Sequence, residues 1–303
     1  MKTLFWRIQA WFFYGFTWLI AVVPDQLVFR LGAMVGTLMW YLLPSRRRIA
    51  IGNIAGTLAY MQAQPGWRCP DDDAAGIARS AFSNIGRSLV ETCRLYHNKS
   101  TELLKQIEVR GREHYDAAHA AGKGLVFLTG HCGNWEIMAL SCSYWLGETA
   151  AVVARRQNNP YLNQMVEKMR MQFNNRVIYK ENALKNMMSV FRKNGIVGLL
   201  VDQAVMPHEG CLIEFLGKKA WASKTPVLLA RKTGVAIVPV FAHREGERHV
   251  VELHPAIQFS GDASEAGLAA DVKVYSRAIE QFIIEHPTDW YWVHRRWKRA
   301  EGL

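Results

Sequence analysis

The chain has 303 residues, half of them hydrophobic, so it is long enough and apolar enough to bury one large core. This composition excludes a disordered chain. The formal net charge of +11 favours anionic partners, namely nucleic acid, anionic lipid headgroups or an acidic carrier protein. Charge alone does not choose among these three.

The cysteines and tryptophans indicate where the protein works. The five cysteines are an odd number without C-x-x-C spacing, so neither a disulfide framework nor a zinc knuckle is predicted. A reducing, cytoplasm-facing location fits this pattern. Several of the eleven tryptophans adjoin basic residues near both chain ends, as at 5–7 and 294–299. That mixture is typical of side chains at a membrane interface.

The N-terminal segment contains two apolar runs with basic residues around them. The first run spans residues 8–23, and the second spans residues 27–43 and ends before three arginines at 46–48. The first run is shorter than the roughly 20 residues that a perpendicular transmembrane helix needs. We predict that residues 1–45 form a membrane anchor, with one spanning or deeply embedded helix followed by an interfacial helix.

Two other interpretations of this segment stay open. A cleaved signal peptide fits the basic start and the apolar middle, although residues 20–24 offer no clear cleavage site. Two buried helices of a soluble domain also fit, because apolar helices rich in aromatic residues build protein cores.

Residues 46–303 are predicted to form one α/β domain. A long helix is expected over 74–97, after a loop over 62–73 that contains two prolines and an acidic triplet. Short apolar runs then lie at 124–129, 151–153, 196–201 and 236–241. Helix-like stretches lie between or after them, at 135–145, 161–175, 184–193 and 226–232.

This alternation predicts the fold class. Strands that are apolar on both faces and separated by helices indicate a mixed, largely parallel sheet flanked by helices, here preceded by the membrane-associated helical segment. Residues 250–253 predict an edge strand before a closing helix over 266–286.

Two predicted strands end in residues that could carry chemistry. His131 follows the first strand, in the sequence Gly130-His131-Cys132-Gly133-Asn134-Trp135-Glu136, and Asp202-Gln203 follows the third. Asn134 is a good N-cap for a helix that starts at Trp135, which puts Glu136 in the first turn of that helix. Ligands of open α/β sheets collect at such strand ends.

The spacing of His131 and Glu136 predicts a catalytic pair. A strand-turn-helix corner can bring the Glu136 carboxylate onto one ring nitrogen of His131, which makes the other nitrogen a stronger base toward an alcohol. Free N–H groups of the turn could stabilise an oxyanion. A structural His–Glu pair is the alternative interpretation of this spacing.

The block from His131 to Glu136 resembles the H-x4-[D/E] motif of the lysophospholipid acyltransferase superfamily. Its Gly-Asn-Trp-Glu core resembles the bacterial lipid A biosynthesis (lauroyl/myristoyl) acyltransferases. Further resemblance lies in the Pro-Ser-Arg-Arg-Arg stretch at 44–48, at 87–91, 202–203 and 215–217, and in the tail at 292–298. The similarity covers nearly the whole chain.

The resemblance implies transfer of an acyl chain from acyl carrier protein to a hydroxyl of a phosphorylated glycolipid, a lipid A precursor, at the cytoplasmic side of the inner membrane. It implies that His131 is the general base and that Glu136 is its partner. It also places Arg170 and Asp202 around the active site. No metal and no redox cofactor are expected, because a thioester is already activated.

Other side chains are predicted to bind the substrate. Arg155 and Arg156 follow the second strand and could face phosphates, as could Lys218 and Lys219, although either pair could be a solvated face. The predicted substrate-binding set is Arg170, Asp202, Arg155, Arg156, Asn134 and Gln203.

Several other functions stay open. The same base would serve an acyl thioesterase, and another glycolipid or a lysophospholipid could be the acceptor. A Cys132 nucleophile, or a metal site of His131, Glu136, Asp202 and His208, has weaker support. A basic membrane-associated binding protein is the alternative without catalysis. Nucleic acid is not expected as a partner, because no recognised binding motif is present.

Overall fold

The computed structural model describes residues 2–69, 71, 73–300 and 302. The helices are α1 (Lys2–Ala21), α2 (Asp25–Leu42), α3 (Pro44–Ala55), α4 (Leu58–Gln62), α5 (Ala74–Leu95), α6 (Ser100–Lys105), α7 (Arg112–His119), α8 (Trp135–Leu146), α9 (Pro160–Arg170), α10 (Ala183–Phe191), α11 (Thr225–Thr233) and α12 (Glu265–Glu285). The strands are β1 (Glu108–Arg110), β2 (Leu125–Thr129), β3 (Ala150–Ala154), β4 (Arg176–Tyr179), β5 (Ile196–Leu200), β6 (Gly210–Phe215), β7 (Lys218–Ser223), β8 (Ala236–Glu245) and β9 (Arg248–Leu253).

The main sheet has the strand order β1-β9-β8-β2-β5-β3-β4. Its neighbouring strands pair in parallel except for β8 and β9, which pair antiparallel. Strand β2 lies in the middle and is buried along its whole length, as a strand covered on both faces must be. The predicted fold class, a mixed and largely parallel sheet flanked by helices, is confirmed.

The edges of the sheet differ from the prediction. The run at 250–253 was predicted to be an edge strand, but β9 lies between β8 and β1. The short outer strand β1 was missed because two of its three residues, Glu108 and Arg110, are charged. Arg110 forms ion pairs with Glu108, Glu245 and Glu252. Strand β4 and the separate β6–β7 hairpin were also missed.

The predicted loop over 62–73 includes Pro70 and Asp72, which lie outside the described residues. Helix α5 begins after Asp73, whose carboxylate accepts a hydrogen bond from the Gly76 backbone N–H at 2.6 Å. This cap satisfies one of the free N–H groups of the first turn.

Helices α1 and α2 differ in what covers them. Helix α1 exposes a long row of large apolar side chains, including Trp11 and Phe12, which are 75% and 76% exposed. Helix α2 instead crosses α5 closely through glycines. A Cβ on Gly36 would lie 2.3 Å from the Phe82 carbonyl oxygen, and one on Gly86 would lie 2.2 Å from the Gly36 nitrogen. The two backbones therefore touch at this crossing.

Length and hydropathy determine whether a helix can cross a bilayer. No helix in the described part of the chain is both long and apolar enough to do so by itself. Helices α2 and α3 are long and apolar enough when taken together, but they are bent by 96° relative to each other. The membrane anchor and the domain boundary after residue 45 stay predictions.

The tryptophans near the C-terminal end do not form the interfacial belt that their basic neighbours suggested. Trp290, Trp292 and Trp297 are buried, and the ring centroids of Trp290 and Trp292 lie 4.6 Å apart. The N-terminal tryptophans Trp11 and Trp18 are exposed. Of the two chain ends predicted to lie at a membrane interface, only the N-terminal end therefore has exposed tryptophans.

Candidate active site

The candidate site forms where β2 and β5 end side by side. The register pairs Thr129 with Leu200 in parallel strands. His131 and Asp202 each lie two residues further along, so the register brings them together at the carboxyl edge of the sheet. This is the edge at which ligands bind in open α/β sheets.

Asp202 holds His131 by two hydrogen bonds. Its Oδ1 lies 2.8 Å from Nδ1 of the ring, and its Oδ2 accepts the His131 backbone N–H at 2.9 Å. Oδ2 also accepts the indole N–H of Trp290 at 2.9 Å. Asp202 is 3% exposed. A buried carboxylate with these donors fixes both the position and the orientation of the imidazole.

The pKa shifts follow from this geometry. Burial alone would lower the pKa of His131, but the charge and hydrogen bond of Asp202 raise it above its ordinary value, and the charge of Glu136 adds to this rise. Burial would raise the pKa of Asp202, but His131 and Trp290 lower it to about 2. Ionised Asp202 therefore keeps a proton on Nδ1 of His131 and leaves Nε2 as the basic nitrogen.

The expected hydrogen bond between Glu136 and His131 is not formed. Among the described residues, no hydrogen bond joins these two side chains. Glu136 instead accepts hydrogen bonds from Arg170, from Nε at 2.9 Å and from Nη2. The turn does not bring the Glu136 carboxylate back to the imidazole, because β5 already delivers Asp202 to Nδ1. The carboxylate that orients the ring is therefore Asp202.

The turn after β2 is held from both sides. Gly133 has φ +51°, and a Cβ there would lie 2.5 Å from the Ala242 carbonyl oxygen, so the close approach to β8 requires glycine. Its N–H donates to the Asp289 carbonyl at 2.7 Å, and the Tyr291 N–H donates to the His131 carbonyl at 3.1 Å. The N–H groups of His131 and Gly133 are thus both occupied, so neither supplies the expected oxyanion contact.

The side chain of Asn134 stabilises the turn and the start of α8 by hydrogen bonds. Its Oδ1 accepts the Ile137 backbone N–H at 3.2 Å, which confirms the predicted N-cap of α8. Its Nδ2 donates to the Glu91 carboxylate at 3.0 Å and to the Ser88 carbonyl at 3.2 Å. Asn134 is buried, so its side chain does not face the solvent side of the site, where a substrate was expected to meet it.

The other predicted substrate-binding residues lie around the same edge. The Nε2 atom of Gln203 lies 3.3 Å from Nε2 of His131, the nitrogen that would act as base. Arg155 and Arg156 follow β3 and are exposed. The Arg156 guanidinium lies 3.9 Å from the centroid of the Tyr179 ring. The structure therefore brings Gln203 to the base and leaves the two arginines at the rim.

Aromatic residues that the sequence analysis did not select complete the site. The His131 ring lies 5.0 Å from Trp135 and 6.0 Å from Tyr291, and these two rings lie 5.7 Å apart. Trp290 adds its hydrogen bond to Asp202. Trp135 lies in the Gly-Asn-Trp-Glu core of the motif but was given no role, and Trp290 and Tyr291 directly precede the tail at 292–298 that carries part of the resemblance.

Two alternatives lose support from the geometry. Cys132 is fully buried, and burial raises the pKa of its thiol well above the ordinary value, which disfavours a thiolate nucleophile. His131, Glu136, Asp202 and His208 do not converge on one point. Among the described residues, the group close enough to share an ion is His243, Glu252 and His286, on β8, β9 and the end of α12.

Comparison with known proteins shows the family of the chain. The family model described as bacterial lipid A biosynthesis acyltransferase matches residues 2–299. The chain belongs to this family. The match includes the site, the hairpin and the N-terminal helices, so the structural elements described above all fall within the family's extent.

Individual relatives are distant in sequence. The chain is 24% identical over 299 residues to the lipid A biosynthesis lauroyltransferase of Escherichia coli (strain K12), covering 97% of this chain and 93% of that protein. It is 26% identical over 227 residues to the phosphatidylinositol mannoside acyltransferase of Mycobacterium tuberculosis (strain CDC 1551 / Oshkosh), covering 72% and 69%. A solved 1-acyl-sn-glycerophosphate acyltransferase from Thermotoga maritima aligns with a TM-score of 0.37 and 15% identity, covering 81% and 94%.

Proposed function

We propose that this acyltransferase moves a fatty acyl chain from acyl carrier protein to a hydroxyl of a lipid A precursor, at the cytoplasmic face of the inner membrane. The observation that carries the proposal is the hydrogen bond from Nδ1 of His131 to buried Asp202. It gives the family's acyl transfer a base of defined tautomer and orientation.

The proposed reaction uses His131 as general base and then as general acid. Nε2 takes the proton of the lipid hydroxyl while the hydroxyl oxygen attacks the thioester carbonyl carbon. The tetrahedral intermediate collapses with cleavage of the C–S bond, and the imidazolium returns the proton to the leaving sulfur. Asp202 stays ionised and stabilises the imidazolium. The products are the ester and the free thiol of the carrier.

Glu136 and Arg170 have a different role in this proposal. Glu136 fixes the guanidinium of Arg170 by two hydrogen bonds, which keeps a cation close to the base. The Arg170 guanidinium is a candidate partner for the developing oxyanion or for a substrate phosphate. The amide of Gln203 lies next to Nε2 and is a second candidate donor. Arg155 and Arg156 at the rim would contact anionic groups of the substrates.

The proposed membrane location rests on α1. Its exposed tryptophan, phenylalanine and leucine side chains would be buried in the interfacial region of a bilayer, where such aromatic-rich faces are favoured. The acyl carrier as donor is supported by the net charge of +11, which attracts an acidic protein to the enzyme.

A second acceptor is supported by one comparison. The phosphatidylinositol mannoside acyltransferase is a relative that covers 72% of the chain, so such a glycolipid is the alternative acceptor. A lysophospholipid acceptor and hydrolysis of the thioester by water would use the same base.

One experiment separates these functions. Detergent-solubilised wild type, His131→Ala and the control His208→Ala are incubated with acyl carrier protein thioesters or with matching coenzyme A thioesters, and product masses are read. The acceptors are a tetraacylated lipid A precursor, a phosphatidylinositol mannoside and a lysophospholipid. His208 is exposed and outside the site, so its variant controls for loss of a histidine.

The expected result is one added acyl chain on the lipid A precursor, with the carrier thioester as the better donor. His131→Ala should lower the rate by about 10²–10⁴-fold, while His208→Ala should not. Free fatty acid alone would establish a thioesterase instead. Unchanged transfer by His131→Ala would refute the proposed base.

A further inference from the structure

A basic cleft lies between α3, the β6–β7 hairpin and the segment after α12. Its volume is about 630 Å³. Its wall carries five cationic side chains and one aromatic ring, those of Arg48, Lys218, Lys219, Arg295, Lys298 and Trp297. The elements that supply them are far apart in sequence, so the fold itself concentrates this charge.

The charge in the cleft is not neutralised within the described part of the chain. No described carboxylate forms an ion pair with any of the five cations. Arg48, Lys219, Arg295 and Lys298 are exposed, whereas Lys218 is half-buried with its ammonium 5.0 Å from the centroid of the Trp297 ring. Like charges that line one cleft repel one another, so an anion that enters the cleft relieves this repulsion.

The wall of the cleft contacts the segment after α12, whose Trp290 donates a hydrogen bond to Asp202. Asn53, in its wall, donates to the carbonyls of Trp292 at 2.7 Å and His294 at 2.8 Å. Burial lowers the pKa of His294, Asp202 raises it, and both Lys298 and His131 lower it further. His294 is therefore within electrostatic range of the cleft and of the active site.

A second contact joins the two sites on the other side. Nη1 of Arg299 donates to the carbonyl of Ala204 at 3.2 Å, and Ala204 follows Gln203 at the base. Residues 298 and 300, on either side of Arg299, line the cleft. Arg299 thus connects the wall of the cleft to the segment that follows Asp202 and Gln203.

We propose that the cleft binds a phosphate group of the acceptor lipid and so positions the acceptor hydroxyl at His131. Lysine and arginine donors bind phosphate oxygens through charge-assisted hydrogen bonds. The concave shape and the aromatic wall fit a headgroup. A folded carrier protein would need a broad surface of roughly 800 Å² on each partner. The proposal rests on the proposed function, because it assigns the acceptor of that reaction.

The test compares two triple variants with equal loss of charge. The cleft variant is Lys219→Gln/Arg295→Gln/Lys298→Gln, and the control is Arg192→Gln/Lys193→Gln/Lys232→Gln. All six residues are exposed, so both variants should fold. The control residues follow α10 or lie at the end of α11, and none of them lines the cleft.

Binding is measured first, without any reaction. Dodecyl phosphate in neutral detergent micelles is titrated into each full-length protein by calorimetry, with inorganic phosphate as a second probe. We expect the cleft variant to bind dodecyl phosphate about tenfold more weakly than the control. Equal affinities of the two variants, or equally tight binding of inorganic phosphate, would overturn the proposal.

Kinetics then identify the source of the phosphate. With a phosphorylated acceptor, the cleft variant should have a KM about tenfold higher and an unchanged kcat. With the dephosphorylated acceptor, the cleft variant and wild type should have the same KM. A rise in KM for acyl carrier protein instead, or a loss of binding to phosphatidylglycerol vesicles without a change in acceptor KM, would overturn the proposal.

The binding and kinetic measurements test the cleft assignment and the proposed function separately. If wild type transfers no acyl chain to any acceptor, the proposed function fails, while the dodecyl phosphate titration still decides whether the cleft binds a lipid phosphate. If transfer is normal but both triple variants behave alike in both measurements, only the cleft assignment fails.

Discussion

Asp202 and Glu136 lie at the same edge of the sheet, yet their surroundings differ. Asp202 follows β5, is buried, and meets His131 and Trp290. Glu136 lies in the first turn of α8 and meets the guanidinium of Arg170. One carboxylate is therefore bound to the base and the other to a cation.

Proximity in sequence therefore does not select the partner of the base. Glu136 is five positions from His131, whereas Asp202 is 71 positions away and reaches the ring through the β2–β5 register. A buried carboxylate can orient and polarise an imidazole, because no water competes for its oxygens. A carboxylate paired with arginine mainly holds the arginine in place.

The largest effect is expected for Asp202→Asn. The amide cannot stabilise an imidazolium and no longer fixes the proton on Nδ1, so kcat should fall by about a hundredfold or more. Steady-state kinetics measure this loss, and circular dichroism checks that the variant is folded. A mild effect of Asp202→Asn together with a severe effect of Glu136→Gln would restore the pair predicted from the sequence.

The pH dependence of the rate depends on the pKa of His131. His131 must be unprotonated to act as base, and its pKa is raised above 6.5, so kcat/KM should fall about tenfold per pH unit below that raised value. In Asp202→Asn the main cause of the raised His131 pKa is lost while burial still lowers this pKa. The fall of kcat/KM at low pH should therefore begin at a lower pH than in wild type. An unchanged low-pH profile of kcat/KM in Asp202→Asn would show that Asp202 does not control the pKa of His131.

The same pair links stability to pH. The raised pKa of His131 gives stabilisation that is present below its ordinary value of 6.5 and is lost as pH rises through the folded value. The lowered pKa of Asp202 gives stabilisation that is present above its ordinary value of 3.8 and is lost as pH falls toward about 2. We therefore expect the difference in unfolding free energy between wild type and Asp202→Asn to be largest between pH 3.8 and pH 6.5, as measured by chemical denaturation at a series of pH values.

A smaller effect is expected for Glu136→Gln. Arg170 would lose its charged partner and its fixed orientation, so kcat/KM should fall by about tenfold. Arg170→Gln should have a similar effect, and the double variant should be little worse than either single variant, because the two side chains act as one unit. Additive losses would mean that Glu136 and Arg170 act separately.

The smallest effect is expected for Trp290→Phe. The substitution removes one hydrogen bond to Asp202 and leaves a small cavity where the larger indole lay, so we expect a loss of about 1–3 kcal/mol in stability and a severalfold lower kcat. Trp292→Phe is the matched control, because its indole N–H donates to the Pro287 carbonyl and not to the catalytic pair. Equal effects of the two variants on kcat would show that the hydrogen bond from Trp290 to Asp202 does not contribute to catalysis.

Much of the fold was predictable because its central strands are continuous apolar runs. The runs at 124–129, 151–153, 196–201 and 236–241 coincide with β2, β3, β5 and β8. Strands β1, β4 and β7 were missed because charged, half-buried or exposed residues interrupt them. Periodicity detects burial on a regular face, and these edge or hairpin strands have little of it.

The polar residues that the structure brings together at the candidate site were selected from the sequence, but their pairing and the aromatic residues around them were not. His131, Asp202, Glu136, Arg170 and Gln203 were all selected, and they meet at one sheet edge. The order of the strands, which decides that Asp202 adjoins His131, is not encoded in local periodicity. Trp290 is supplied by the segment after α12, which approaches the turn only when the whole domain is folded.

The contacts of this segment with the turn bear on how the chain folds during synthesis. His131 and Asp202 are translated before Trp290, Tyr291 and the Asp289 carbonyl, which hold Asp202 and the turn. The base therefore reaches its final position only after the segment that follows α12 has been made and has packed against the turn.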